Sequence, residues 1–451
     1  MHNARCKIKS AGFEVMVVRI VRPIDGGEIR AVPSKSYAHR LLICAALADG
    51  ETLIECGAAS DDIEATVSCL EGIGARIGYD GAVFKVGPTT LAERALPAHT
   101  LSAHTHFSRG NSVIQNCGES GSTLRFMLPV CCALGIPAEF VMKGRLPERP
   151  VAPLLEQLAL HGCEISASEG GLRVQGKLRS GVFELPGNVS SQFVSGLLFA
   201  LPLLEGDSEI FVEGKEESAP YIDMTLDTVK SFGIDAKRRE GYYRIDGGRG
   251  YSTTGTARVE GDWSNAAFWL CAGAAGGRGV TCTGLNTRSR QGDMAVIEVL
   301  ERFGAAVSCI GDSVTVKPAR LGGIRIDAGD IPDLVPVLSV VAAAAQGETE
   351  IYNAGRLRIK ESDRLRAVTE TLRALGADIS ELEDGLLIRG NGALRGGKVS
   401  SFGDHRVAMM AATASVLCEG PVEISGAESV NKSYPGFFKD FVTLGGTYQV
   451  K

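Results

Sequence analysis

The stretch LRALGADISELEDGLLIRG, residues 372–390, reads as the end of a helix, a left-handed turn and a pair of short strands. Leu375 closes the helix, and Gly376 fits the C′ position, where a residue without Cβ adopts positive φ at no steric cost. LLIRG, residues 386–390, then alternates like a strand returning from a hairpin. The same arrangement recurs outward in both directions. An apolar or bulky residue, Gly and a small residue appear at Ile73-Gly74-Ala75, His161-Gly162-Cys163, Phe232-Gly233-Ile234, Phe303-Gly304-Ala305 and Leu444-Gly445-Gly446. Successive glycines lie roughly 70 residues apart, apart from a first interval about 17 longer. Strands of the same kind follow as VFKVG, LRVQG, YRIDG and VTVKP. One such ending is common in helices. Six at near-constant spacing predict six copies of one α/β unit, three to a domain.

Composition narrows the class. A chain of 451 residues exceeds one ordinary core. Its 56 glycines, 44% hydrophobic residues and only 6% aromatics suit a globular protein of Ala/Gly-rich helices and short turns. A net charge of −6 disfavours a nucleic-acid partner, so any anion must be held by a local gathering of Lys and Arg. The twelve cysteines form no C-x-x-C pair. Cys44, Cys69, Cys271 and Cys418 sit in apolar runs and read as buried thiols of a cytoplasmic protein, with Cys131 and Cys132 as core. Phe13 to Val21 carries Glu14 and Arg19, so it reads as a strand and not as a signal-peptide core. No run is suited to span a membrane. The long first interval holds His99, His104 and His106, which read as a polar excursion in preference to a zinc site.

Several helix starts break a local rule. PSKSYAHR (residues 33–40), GESGSTLR (118–125), NVSSQ (188–192) and GDHR (403–406) each lead into apolar helix. Small hydroxyl residues there are ordinary caps. Lys35, Arg40, Arg125 and Arg406 are not ordinary, because a cation beside the positive end of a helix dipole is unfavourable unless an anion lies between them. Arg145 and Arg149, Lys360 and Arg364, and Lys432 add further cations, and Asp333 and Glu361 are carboxylates among them. Taken alone, the KESDR run at 360–364 reads as a solvated, self-paired helix face.

In order along nearly the whole chain, these blocks resemble the 5-enolpyruvylshikimate-3-phosphate synthase family. The carriers are Ser34 to Arg40, Gly118 to Arg125, Leu146 to Pro150, Val189 to Gln192, Ile331 to Asp333, Arg358 to Arg364, Asp404 to Arg406 and Lys432 to Pro435. The resemblance implies an α/β, two-domain enolpyruvyl transferase fold with three βαβαββ units per domain. One domain would span residues 34–258 and the other residues 1–33 plus 259–451, with the active site in the cleft between them. It implies enolpyruvyl transfer from phosphoenolpyruvate to the 5-hydroxyl of shikimate 3-phosphate through a tetrahedral intermediate, with no metal or organic cofactor, by a monomer.

Carried over by position, Lys35, Ser36, Arg40, Ser190, Ser191, Gln192, Ser218, Asp333 and Lys360 would hold shikimate 3-phosphate. Lys35, Gly121, Arg149, Gln192, Arg364, Arg406 and Lys432 would hold phosphoenolpyruvate. Asp333 would take the hydroxyl proton, Glu361 would exchange protons at the methylene carbon, and Lys35 would sit near the leaving phosphate. His405 would either transfer protons or orient Arg406 or Glu361. The chain departs from the family pattern at Glu119, Ser122, Ala219 and Arg356.

Three rival readings fit the sequence less well. The enolpyruvyl transferase acting on UDP-N-acetylglucosamine typically carries a reactive cysteine in a P-G-C loop; this chain has no P-G-C, and Cys117 has another context. A phosphate-binding loop at Gly392 to Lys398 lacks the following Ser or Thr, since Val399 stands there, and no helix follows. A non-catalytic repeat scaffold would leave the acid–base pair and the cations at helix starts unexplained.

Overall fold

The computed structural model describes residues 15–89 and 112–451. The histidines at 99, 104 and 106, residues 1–14 and the rest of the long first interval lie outside the described residues. Six glycines end helices as the repeat predicts: Gly74, Gly162, Gly233, Gly304, Gly376 and Gly445 all have φ between +83° and +103°.

The strands form six four-stranded sheets of one design. In the sheet that takes its hairpin from residues 378–390, Arg325–Asp327 pairs parallel with the next strand, Gly347–Tyr352. That strand pairs antiparallel with Gly385–Gly390, and Gly385–Gly390 pairs antiparallel with Asp378–Leu382. The other five sheets repeat this order and these directions, but three borrow a strand. Thr256–Arg258 is the parallel edge for Thr52–Glu55. Gly27–Arg30 does the same for Val280–Thr283. Val17–Arg22 takes the hairpin-return place between Val422–Ser425 and Thr447–Val450. The sixth glycine lacks a following LLIRG-like strand because that strand comes from the other end of the chain.

Buried apolar side chains gather in two clusters. One runs from Ala38 to Val259, and the other joins Val18–Ile29 to residues from Trp263 to Leu444. Each cluster is built around three central helices: Lys35–Leu47, Gly121–Leu134 and Ser191–Ala200 in the first, and Trp263–Ala275, Val335–Ala344 and His405–Ala414 in the second. These are apolar nearly all round, the pattern of a helix enclosed on every side. Small residues let them approach closely. A Cβ on Gly196 would lie 2.2 Å from the carbonyl oxygen of Arg125 in the neighbouring helix.

The described cysteines are all free thiols. Cys44, Cys69, Cys131, Cys132 and Cys271 are buried as expected, whereas Cys418 is half-exposed at the end of a short 3-10 turn. Gly397–Ser400 is a strand, so the loop at 392–398 does not open a helix. No helix among the described residues is long and apolar enough to cross a membrane.

The borrowed strand yields a stability prediction. Ile20, 1% exposed, is a core residue of the second cluster although it stands far from its partners in sequence. Ile20→Ala is expected to cost about 2–5 kcal/mol. Urea denaturation, followed by tryptophan fluorescence because Trp263 and Trp269 share that cluster, checks it.

Candidate active site

The six central helices aim their N-termini at one cavity. Its walls include Lys35 and Ser36, Gly121 and Ser122, Ser190 to Gln192, Asp262 with Ser264 and Asn265, Pro332 with Asp333, and His405 with Arg406. Ser218 and Arg364, at the starts of two further helices, also line it. Polar caps mark six of these eight helix starts; Ala219–Ser231 and Val335–Ala344 have no side-chain cap and begin with a proline in the first turn. Ser34 accepts from the Tyr37 amide, Ser120 from Thr123, Ser190 from Gln192, Asp262 from Asn265, Asp363 from Arg366 and Asp404 from Arg406. Eight partial positive charges therefore face one space, and full cations stand among them.

On one wall, Arg40 is spread over Thr225 Oγ1 (2.9 Å), the Ser36 carbonyl (2.7 Å) and the Tyr221 carbonyl (2.8 Å). Burial lowers its guanidinium to about 10, and that of Arg125 to about 9. Arg125 donates to Gln192 Oε1 (2.8 Å), and Gln192 donates to Ser122 Oγ (2.8 Å). Gly121 leaves room for two guanidiniums. A Cβ there would stand 2.6 Å from Arg125 Nη1 and 2.8 Å from Arg149 Nη1. Lys35 Nζ pairs with Asp62 at 2.8 Å.

On the facing wall, Arg364 is 1% exposed and holds three carboxylates: Asp333 at 2.7 Å, Glu361 at 2.6 Å and Asp404 at 2.8 Å. Arg406 grips the other oxygen of Asp333 at 2.9 Å. Burial opposes the charge on Asp333, but Arg406, Lys360 and Arg364 together hold its carboxyl well below the usual range. Burial likewise opposes charge on Glu361, and Arg364, Lys432 and Arg149 keep it ionised. Burial, helped by Lys35 and Arg406, drives His405 well below its ordinary value, so the imidazole is neutral. Neither His405 ring nitrogen nor Arg149 Nε has a hydrogen-bond partner among the described residues. Buried polar groups without partners are uncommon in a folded interior and point to a ligand.

Every expected site residue except Lys432 lines the cavity. Lys432 stands one step behind, 3.8 Å from Glu361 and 3.2 Å from Glu119. Lys360 and Glu361 are not on a helix face; they occupy the turn ahead of Arg364–Leu375, which directs both inward. Arg145 is peripheral and pairs with Glu148 at 3.1 Å. Cys117 is wholly buried, its thiol set against Cys69. Asp62, Tyr221, Asp262, Ser264 and Asn265 also line the cavity and were missed. Only Asp262-Trp263-Ser264-Asn265, a polar start before AAFWLCAGAA, resembled the helix starts that were read.

The cavity thus sets many cations and helix N-termini beside a pair of ionised carboxylates. The fold is that of the enolpyruvyl transferases. An EPSP synthase from Acinetobacter baumannii superposes with a TM-score of 0.77 at 24% identity, covering 97% of this chain and 100% of that one. The enolpyruvyl transferase NikO from Streptomyces tendae gives 0.74 at 17%, covering 97% and 99%. Within that class, residues 19–441 match the family model of EPSP synthase (3-phosphoshikimate 1-carboxyvinyltransferase). The chain is 41% identical over 425 residues to the 3-phosphoshikimate 1-carboxyvinyltransferase of Clostridium kluyveri, covering 93% of this chain and 95% of the relative. It is 43% identical over 432 residues to that of Clostridium botulinum, covering 94% and 96%. The chain belongs to the EPSP synthase family.

The cavity's electrostatics carry a pH prediction. Burial depresses the Lys360 ammonium to about 8. A phosphate ester seated against it favours the charged form, so affinity is full below that value and falls as pH rises through it. Binding of shikimate 3-phosphate, the acceptor implied by the resemblance, should take up a proton at about pH 8.5 and little at about pH 7.5. Calorimetry in buffers of different ionisation enthalpy measures the uptake, and Lys360→Met should remove it.

Proposed function

We propose that the cavity binds phosphoenolpyruvate and shikimate 3-phosphate together and joins them by addition and elimination. The 5-hydroxyl oxygen of the acceptor attacks C2 of phosphoenolpyruvate and loses its proton, while the C3 methylene gains one. The tetrahedral adduct then gives up a C3 proton and breaks the C2–O bond to phosphate, leaving the carboxyvinyl ether and inorganic phosphate. One observation supports this above the rest: eight helix N-termini and buried Lys and Arg side chains meet at one cavity that also contains Asp333 and Glu361. Two substrates that each carry phosphate and carboxylate require such a lining.

In this reading Asp333 is the base for the hydroxyl. It is ionised, as a base must be, yet two guanidiniums hold its charge and lower its basicity. The carboxylate of phosphoenolpyruvate would compete for Arg364 and Arg406, freeing Asp333 only once the second substrate is in place. Glu361, ionised by its cations, must gain a proton before it can give one. A phosphate between Lys432, Arg149 and Glu361 would offset those cations and raise its pKa. Lys35, tied to Asp62, would turn to the leaving phosphate. Neutral His405 would orient Arg406 or pass a proton. Gly121, Arg149 and Gln192 would frame the phosphoenolpyruvate side. Ser36, Arg40, Ser190, Ser191, Ser218 and Lys360 would frame the acceptor.

A division at residues 34–258 against 1–33 with 259–451 is supported by the two apolar clusters, although Val259 packs in the first. We infer a cytoplasmic monomer, a compartment supported by the many buried thiols among the described cysteines.

Phosphate release from phosphoenolpyruvate should depend on shikimate 3-phosphate; release independent of it, or absent with it, would overturn the reaction. Asp333→Asn should bind both substrates within roughly tenfold of wild type while turnover falls about a hundredfold or more. Steady-state kinetics with tryptophan-fluorescence titration separate the two effects. Lys35→Ala should nearly abolish turnover with an unchanged circular dichroism spectrum.

A further inference from the structure

Ser218 is one of three described residues other than glycine with positive φ, at φ +57° and ψ +35°. It stands immediately before the helix Ala219–Ser231, where a serine ordinarily caps a free amide, but its hydroxyl caps nothing. It is held instead by the opposite side of the cavity. Its amide donates to Asp330 Oδ1 at 2.9 Å, and its Oγ accepts from Arg356 Nη2 at 3.0 Å. Arg356 is fixed in turn by the Gly329 carbonyl (2.6 Å) and by Glu217 (2.5 Å), the residue preceding Ser218. Arg356 and Glu217 are both largely buried, at 16% and 14% side-chain exposure. The contacts join a segment of the first apolar body to a loop and a 3-10 turn of the second.

We propose that Arg356, Glu217 and Asp330 form a clasp across the cleft that positions Ser218 for the acceptor's phosphate. A hydroxyl has two lone pairs and one hydrogen. With Arg356 donating to the oxygen, the hydrogen of Ser218 is left to point into the cavity that the residue lines. A cation donating to that oxygen also makes its O–H a stronger donor. The clasp keeps a sparsely populated backbone conformation in place, as is expected where geometry serves a ligand. Arg356 and Glu217 are positioning residues; Glu217 and Asp330 do not line the cavity. The proposal rests on shikimate 3-phosphate being the acceptor.

The test is steady-state kinetics with each substrate varied in turn, on Arg356→Met, Glu217→Ala, Asp330→Asn and the Arg356→Met/Glu217→Ala pair. Each single change should raise KM for shikimate 3-phosphate about tenfold, with KM for phosphoenolpyruvate within about twofold and kcat within about threefold. The pair should be no worse than Arg356→Met alone, because both act through one contact. An unchanged KM in Glu217→Ala beside a raised one in Arg356→Met would overturn the clasp and make Arg356 a direct ligand. Equal rises for both substrates would overturn it in favour of general cleft closure. Should Arg356→Met fail to fold by circular dichroism, Glu217→Ala and Asp330→Asn decide the matter. A wild-type chain that releases no phosphate with both substrates would sink the reaction assignment. The clasp would then be judged by fluorescence titration with shikimate 3-phosphate alone, where the same variants must weaken binding by the same factor.

Discussion

Much of the site depends on one guanidinium. Arg364 is enclosed, and its donors are shared among Asp404, Asp333 and Glu361, carboxylates from three separate segments. Carboxylates surrounding it raise its already high pKa despite burial. Neutralising it would leave three carboxylates close together in a medium of low dielectric, where an uncompensated buried charge costs about 3–5 kcal/mol. The arrangement also sets the chemistry. A carboxylate gripped by an arginine is charged but weakly basic, so in the proposed reaction the site would stay quiet until another anion competes for the grip. Asp404 does not line the cavity. It caps the helix His405–Ala414 and anchors Arg364 from behind, leaving the ends of the guanidinium on the two carboxylates that do.

The architecture explains why the cations are tolerated. Six helices buried on nearly every side cannot place their termini at random, because each end carries backbone groups that need partners. The capping hydroxyls and carboxylates satisfy some amides; the remaining positive potential accumulates where the helices meet. Lys35, Arg364 and Arg406 add to it, and so do Arg125 and Arg149, crowded together over a glycine. Even beside these carboxylates, Arg149 Nε and both ring nitrogens of His405 have no hydrogen-bond partner among the described residues.

The repeat was legible because helix endings are local: a glycine at positive φ after an apolar residue is a statement about a few neighbouring atoms, and all six hold. The polar helix starts were legible for the same reason, and their cations broke a rule that operates within one turn. Sheet closure was not legible. Pairing of Val17–Arg22 with Val422–Ser425 has no local signature, and neither has the parallel edge given by Thr256–Arg258. The KESDR run misled because its charge spacing imitates a helix face, while Asp363, its fourth residue, is the cap at which the helix begins. Asp62 and Tyr221 escaped because they lie in amphipathic helices whose pattern is ordinary. Arg356 stands out in the sequence only as a departure from the family pattern, and Glu217, Ser218 and Asp330 are gathered around it only by the tertiary fold.

The two strands lent by residues 17–30 have a consequence for the order of events during synthesis. They leave the ribosome long before their partners, yet Val18 must meet Ile424 and Val450, and Ile29 must meet Cys282. The apolar side chains from Ala38 to Val259 can gather into their own cluster while these strands wait, unpaired and with apolar side chains exposed. The second body closes only when its last hairpin partner emerges, a contact of very long sequence separation and therefore slow to form. Chaperone dependence of the nascent chain, and failure of C-terminally shortened chains to bury Trp263 and Trp269, are what such a topology entails.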